Sequence, residues 1–391
     1  MDSLPLGGAF GIFAAPSGPA TPRSERPVPQ VPAGTTVIRD TFTSSTVASM
    51  FSPELQHGYS VAAAATDQAG ETPLIMPSLG DEPKVHNPMG PGSPTSGFGD
   101  RELSQEEALA MISQQTEQEA SFFLDDQSDY LERAAKSGTE NSVVNFSLRG
   151  SKAARSLRWY QDVMGAVYDP SSESKAAKNY GTAFGIDPEK IRSEDKAISQ
   201  AEEAKLQQAV IDNVSTTVDN SDKIQSSMDR WDAATENFEK GNNSVVVGAG
   251  NEGEIEETLE KWAGGEQLQL PDDFETNYLE NDVVTSVGAT TPAGDEAGTR
   301  AEYSSESRGV DIYADGTSKG LGDKTIQGTS FAAPRVSVVM AELHKKHPNL
   351  SSAQVENLMT SNLTTQVPNN GTTIPVLRPE VDLKFLQEST F

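Results

Sequence analysis

The segment Ser244-Val245-Val246-Val247-Gly248 runs the length of a strand with no polar residue inside it. A strand with one face in water alternates apolar and polar residues, so an unbroken run has to be covered on both faces. That is the habit of a parallel sheet sandwiched between helices, and the rest of the chain reads the same way. Thr35–Asp40, Ser142–Leu148, Val283–Gly288 and Val310–Tyr313 are further strand-like runs, and Leu74-Ile75-Met76 is a shorter one. Helical patterns lie between them. Ser104-Gln105-Glu106-Glu107 is a capping box. It opens a helix that carries Leu109, Ile112, Phe123 and Leu131 to about Lys136, where Gly138 stops it. Residues 151–229 are polar and helix-prone, a helix ends near Lys240, and two more are predicted over 331–346 and 351–362. Strands alternating with helices predict an α/β fold. Its central sheet is mostly parallel, with helices on both faces and a helix-rich insertion at about 151–229. Residues 1–34, with Pro16, Pro19, Pro22, Pro27, Pro29 and Pro32, read as a disordered Pro/Gly/Ser-rich tail. Residues 35–391 then form one domain.

Charge narrows the partners. The 391 residues hold 30 Lys and Arg against 58 Asp and Glu, a net charge of −28. Phosphate binding needs clustered cations, so nucleic acid and anionic membrane surfaces are excluded as main partners. With no cysteine, disulfides, thiolate metal sites and Cys nucleophiles are excluded as well. No apolar run is long enough to span a membrane. The apolar patch Leu6–Ala15 lacks the basic segment of a secretory signal, so the sequence leaves the compartment open between cytoplasmic and exported by another route.

Four local signals stand in chain order near the ends of these elements: Asp40, His57-Gly58, Asn251 and Ser330. Asn251 lies within Gly248-Ala249-Gly250-Asn251-Glu252-Gly253, and Ser330 within Gly328-Thr329-Ser330-Phe331-Ala332-Ala333-Pro334. The second string puts a serine hydroxyl at a helix N-terminus. Ala332 and Ala333 are small enough to let that helix approach the sheet, and Pro334 is expected in the first helical turn. Singly, each signal has a plainer reading: a turn carboxylate, a loop His-Gly, an Asn in the left-handed region, a serine cap.

Together these residues resemble the subtilisin-like serine peptidases, the subtilases. The Gly328–Pro334 string is similar to their nucleophile motif and Val245–Gly253 to their oxyanion segment. Val144-Asn145-Phe146-Ser147-Leu148 resembles the strand that pairs with substrate, and Tyr303-Ser304-Ser305 with Val310–Gly316 resembles the segment before the serine. His57-Gly58-Tyr59-Ser60-Val61-Ala62 matches the histidine motif in part. The order Asp, His, Ser is that of the family. The resemblance covers about residues 36–375, broken by insertions, and implies a serine endopeptidase acting on proteins or peptides. Ser330 would be the nucleophile and Asn251 the oxyanion donor. Of four histidines, His86 lies in a Gly/Pro loop, and His344 and His347 lie turns away along the helix of Ser330. His57 is therefore the expected base, with Asp40 holding its imidazole. Ser147, Leu148, Arg149, Gly150, Gly248, Gly250 and Glu252 are the candidate substrate-binding residues. Neither cofactor nor metal is expected.

Departures from the family are visible too. Phe42 stands where a glycine usually follows the aspartate, Ser60 replaces a second histidine, and only 17 positions separate Asp40 from His57. Arg149 occupies a position where glycine commonly lines the channel, unless Gly150 takes that place. The acidic run over residues 252–282, with one lysine, Lys261, reads as a solvated face, as a selector of basic substrates through Glu252, or as a Ca²⁺ loop without the usual ligand spacing. The insertion reads as a docked helical hairpin or as a lid. An inert peptide-binding scaffold, or acyl transfer on the same residues, remains an alternative to hydrolysis.

Overall fold

The computed structural model describes residues 31–40, 53–69, 74–77, 102–147, 150–168, 175–253, 255–265, 267–291, 298–305, 309–319, 325–379, 381 and 385–386. Eight strands form one sheet: β1 (Thr36–Asp40), β2 (Leu74–Pro77), β3 (Val143–Phe146), β4 (Ser244–Gly248), β5 (Val284–Thr290), β6 (Ile312–Asp315), β9 (Thr364–Asn369) and β10 (Thr372–Leu377). Their order is β2-β1-β3-β4-β5-β6-β10-β9. Every neighbouring pair is parallel except β10 with β9. A small hairpin, β7 (Thr317–Lys319) with β8 (Thr325–Gln327), stands apart from the sheet.

Register explains the valine runs. Val37, Val144, Val245 and Val284 form one row across four strands, and Ile38, Asn145, Val246 and Thr285 form the next. Successive residues point to opposite faces, so both rows need a cover. The first row packs into the largest core cluster with Leu124, Tyr130, Val163, Tyr180, Leu206 and Trp231. These come from α2 (Gln105–Lys136), α3 (Lys152–Tyr168), α4 (Lys175–Phe184), α6 (Lys196–Asn220) and α7 (Asp222–Glu239), with the short α5 (Pro188–Ile191) between α4 and α6. One sheet face is thus covered by α2 together with the helices from Lys152 to Glu239. The other face is covered by α1 (Pro53–Ala69), α9 (Thr329–Lys346) and α10 (Ser352–Asn362), with α8 (Ile255–Trp262) on the flank.

Two expectations are corrected. The tail was drawn to residue 34, but Val31 is 2% exposed and belongs to the core, Pro32 O accepts from Ser142 Oγ at 3.0 Å, and Gly34 N donates to Asn141 O at 2.7 Å. The packed chain therefore includes residues 31–34; residues 1–30 lie outside the described residues. Pro334 is not in the first turn, because α9 already begins at Thr329. The C-terminal β9–β10 hairpin has no alternating pattern in the sequence, since most of β9 is exposed. Asn370 and Gly371, at φ 44° and 81°, form its two-residue turn.

Candidate active site

Asp40, Ser147 and Gly248 lie at the carboxyl ends of three adjacent strands. β1 pairs with β2 on one side and β3 on the other, so the strand order reverses there, and such a reversal in a parallel sheet is where ligands bind. Arg39 pairs with Phe146 and Phe146 with Val247. The next positions, Asp40, Ser147 and Gly248, continue that register, one strand spacing of about 4.8 Å apart. Asp40 shares the sheet face of Ile38 by the two-residue period. Ile38 packs with Val61, Ala64 and Ala65 of α1 and with Phe331 and Val338 of α9. His57 is one helical turn ahead of Val61, on the same stripe of α1. The side chains of Asp40 and His57 lie outside the described residues, as do Leu148 and Arg149 altogether.

The described side chains build a dense polar cluster around Ser330. Its Oγ donates to Ser147 O at 3.1 Å, and Ser147 Oγ donates back to Ser330 O at 2.8 Å. Asn251 Oδ1 accepts from Thr329 N at 2.8 Å and from Thr329 Oγ1 at 3.2 Å. Thr329 Oγ1 in turn accepts from Gly250 N at 3.1 Å. With Oδ1 committed, the amide of Asn251 is oriented, and no hydrogen bond among the described residues uses Nδ2. Gly248 packs close under the helix: a Cβ there would sit 3.1 Å from Thr329 Oγ1 and 3.3 Å from the Thr329 carbonyl carbon, a tight approach. Gly250 has to be glycine because its φ is +113°.

Glu252, expected at the pocket, is 3% exposed. Its N–H donates to Ser305 Oγ at 3.1 Å, and its carboxylate accepts from that hydroxyl at 3.3 Å. It braces the loop from within. Elsewhere in the acidic run, Asp273 binds Lys152 at 2.8 Å, Glu280 accepts from Ser286 Oγ at 2.9 Å, and Asp272 and Asp282 face solvent. Among the described residues, no group of His, Asp or Glu side chains is placed to hold a metal ion, and no helix is long and apolar enough to cross a membrane.

Three residues that the sequence reading passed over complete the cluster. Thr329 is buried and fixes Asn251. Asn277, also buried, donates to Gly248 O at 2.9 Å and accepts from Gly150 N at 3.4 Å, joining the ends of β3 and β4. Asn145 donates to Ser147 Oγ at 2.7 Å. A polar residue on a strand face that is otherwise buried was the available signal for Asn145, since such a group needs a partner.

The architecture is an α/β domain: a mostly parallel sheet with a serine-bearing helix docked on one face. The family model of the subtilase family matches residues 176–375, just over half of the chain, and the chain belongs to that family of serine proteases. No curated protein matches the sequence. Among solved structures, a lanthipeptide protease is 14% identical, with 90% of this chain and 87% of that one covered at a TM-score of 0.39. A psychrophilic protease, S41, is 13% identical, with 90% and 92% covered at 0.42. MycP1 from Mycobacterium smegmatis is 16% identical, with 89% and 79% covered at 0.39.

Proposed function

We propose that this chain is a serine endopeptidase that hydrolyses peptide bonds with Ser330 as nucleophile, His57 as general base and Asp40 as the carboxylate that orients it. The observation that carries the reading is the Asn251–Thr329 clamp. It leaves an oriented, unused N–H donor beside the N-terminus of the helix that bears Ser330. Donors fixed in advance where negative charge develops stabilise a tetrahedral oxyanion without reorganising. Asn251 Nδ2 and the Ser330 backbone N–H would be that pair.

The chemistry runs in two halves. Ser330 Oγ releases its bond to Ser147 O and attacks the scissile carbonyl as His57 takes its proton. Collapse of the tetrahedral adduct breaks the C–N bond, and His57 returns the proton to the departing amine. Water then attacks the acyl-enzyme in the same way, giving up a proton to His57, which passes it back to Ser330 Oγ. Ser147, Gly150 and Gly248 border this point, so an extended peptide seated along them would present its carbonyl to Ser330. Leu148 and Arg149 lie in the same stretch of chain and complete the proposed substrate strand.

A fluorophosphonate probe tests the nucleophile, and a quenched peptide blocked at both termini tests endopeptidase action. Labelling abolished by Ser330→Ala, with internal cleavage of the peptide, is the expected result. Absence of labelling in the folded protein would refute an activated Ser330 and favour the inert scaffold. Asn251→Ala should lower kcat by about 10²–10³, the cost of one oxyanion donor in this family, and leave KM nearly unchanged.

A further inference from the structure

The Ser330 carbonyl has lost its helical partner. In α9 it would accept from the N–H of residue 334, but that residue is Pro334. Proline has no N–H, and its ring crowds the carbonyl four residues earlier. The Ser147 hydroxyl fills the gap, donating to Ser330 O at 2.8 Å. A hydroxyl has one proton and can turn. What fixes its direction is Asn145 Nδ2, which donates into Ser147 Oγ at 2.7 Å, so the proton is left for Ser330 O. Asn145 is fully buried, and its Oδ1 lies 3.3 Å from Ser337 Oγ, two turns further along α9. The carboxamide thus reaches the helix at 330 through Ser147 and lies against Ser337, whose hydroxyl also points to Ala333 O at 2.8 Å.

We infer that Asn145 is a positioning residue for the nucleophile, acting through the Ser147 hydroxyl; the inference rests on Ser330 being the attacking serine. Residues 147 and 330 are joined by two hydrogen bonds. The one from Ser330 Oγ is given up during attack. The one from Ser147 Oγ persists and holds the backbone of Ser330 while its side chain reacts. Loss of that hold displaces the nucleophile without touching substrate, and small displacements cost rate steeply.

The test compares Asn145→Leu, which keeps about the same size and removes the amide donor, with Ser147→Ala, which removes the hydroxyl. Thermal unfolding identifies the folded variants, and whichever folds is assayed. Each should lower kcat about 10–100-fold with KM changed less than about twofold. Adding Pro334→Ala supplies an N–H to Ser330 O. It should recover most of the loss caused by Ser147→Ala, measured against Pro334→Ala alone. Equal losses from Ser147→Ala with and without Pro334→Ala would overturn the inference, as would unchanged kcat in folded Asn145→Leu. Probe labelling that survives Ser330→Ala would overturn the nucleophile assignment instead, a separate result.

Discussion

His344 should make the fold acid-sensitive by a calculable amount. It lies in α9 on the side away from solvent, fully buried. Its Nε2 is 2.7 Å from Ser244 Oγ, which is 2.8 Å from Ser352 Oγ. Its Nδ1 has no partner among the described residues. Leaving a lone pair unmatched is milder than leaving an N–H unmatched, so Nε2 carries the proton and donates to Ser244. Further protonation would fall on Nδ1 in apolar surroundings, and burial therefore lowers the pKa from 6.5 to about 4. Above pH 6.5 both folded and unfolded chains hold a neutral imidazole, and the contribution is fully present. As pH falls from 6.5 towards 4, only the unfolded chain takes up the proton, and stability drains away. About two and a half pH units at about 1.4 kcal/mol each give about 3 kcal/mol, a large share of a typical total. Asp311 works the other way: burial raises its pKa to about 6, so it favours the fold as pH falls through that value. The difference between wild type and His344→Gln isolates the histidine. Urea unfolding from pH 7.5 to 4 should show the wild type losing about 3 kcal/mol relative to the variant. A flat difference across that range would refute the buried neutral imidazole.

Three further outcomes are expected. Thr329→Val keeps the shape and the backbone bond from Thr329 N to Asn251 Oδ1, but removes the hydroxyl that donates to Asn251 Oδ1 and accepts from Gly250 N; it should cost roughly tenfold in kcat, about the worth of one hydrogen bond, with KM steady. Gly250→Ala forces a side chain into φ +113°, with its Cβ 2.9 Å from Ser305 Oγ; it should lower both stability, by about 1–3 kcal/mol on a denaturant curve, and turnover. Asp126→Ala removes the carboxylate 3.3 Å from Nη2 of the buried Arg39, whose guanidinium sits 4.4 Å above the Tyr130 ring; it should lower stability by about 1–3 kcal/mol in the same assay.

What could be read from the sequence was what is local. Ser244–Gly248 gave away the doubly covered sheet because burial on both faces favours an apolar run unless each polar group finds a partner. Asn251 and Ser330 each sit in a short string whose neighbours repeat the message. The residues that hold those strings together were not legible: Thr329 meets Asn251 across 78 positions, and Ser147 meets Ser330 across 183. Pro334 was misplaced because the helix was started at Phe331, whereas Gly328 caps it and the motif itself is helical. The insertion was legible as helices but not as half of the core. Trp159, Tyr180 and Trp231 are spread thinly among polar residues, and only folding brings them over the same valine row. β9 was missed because an exposed edge strand has no buried face to impose a pattern.

The ordering of the chain has a consequence in time. The proposed base stands on a helix made early, and the proposed nucleophile on one that leaves the ribosome 273 residues later. At ordinary synthesis speeds that is roughly tens of seconds. Until then the cover over Ile38 and Asn145 is missing, since Thr36 awaits a carbonyl, Ser337 O, from 301 residues downstream. On the proposed assignment, a nascent chain holds its base long before it holds its nucleophile. The cutting edge closes only when the C-terminal third docks, and slow docking of distant segments sets when that happens.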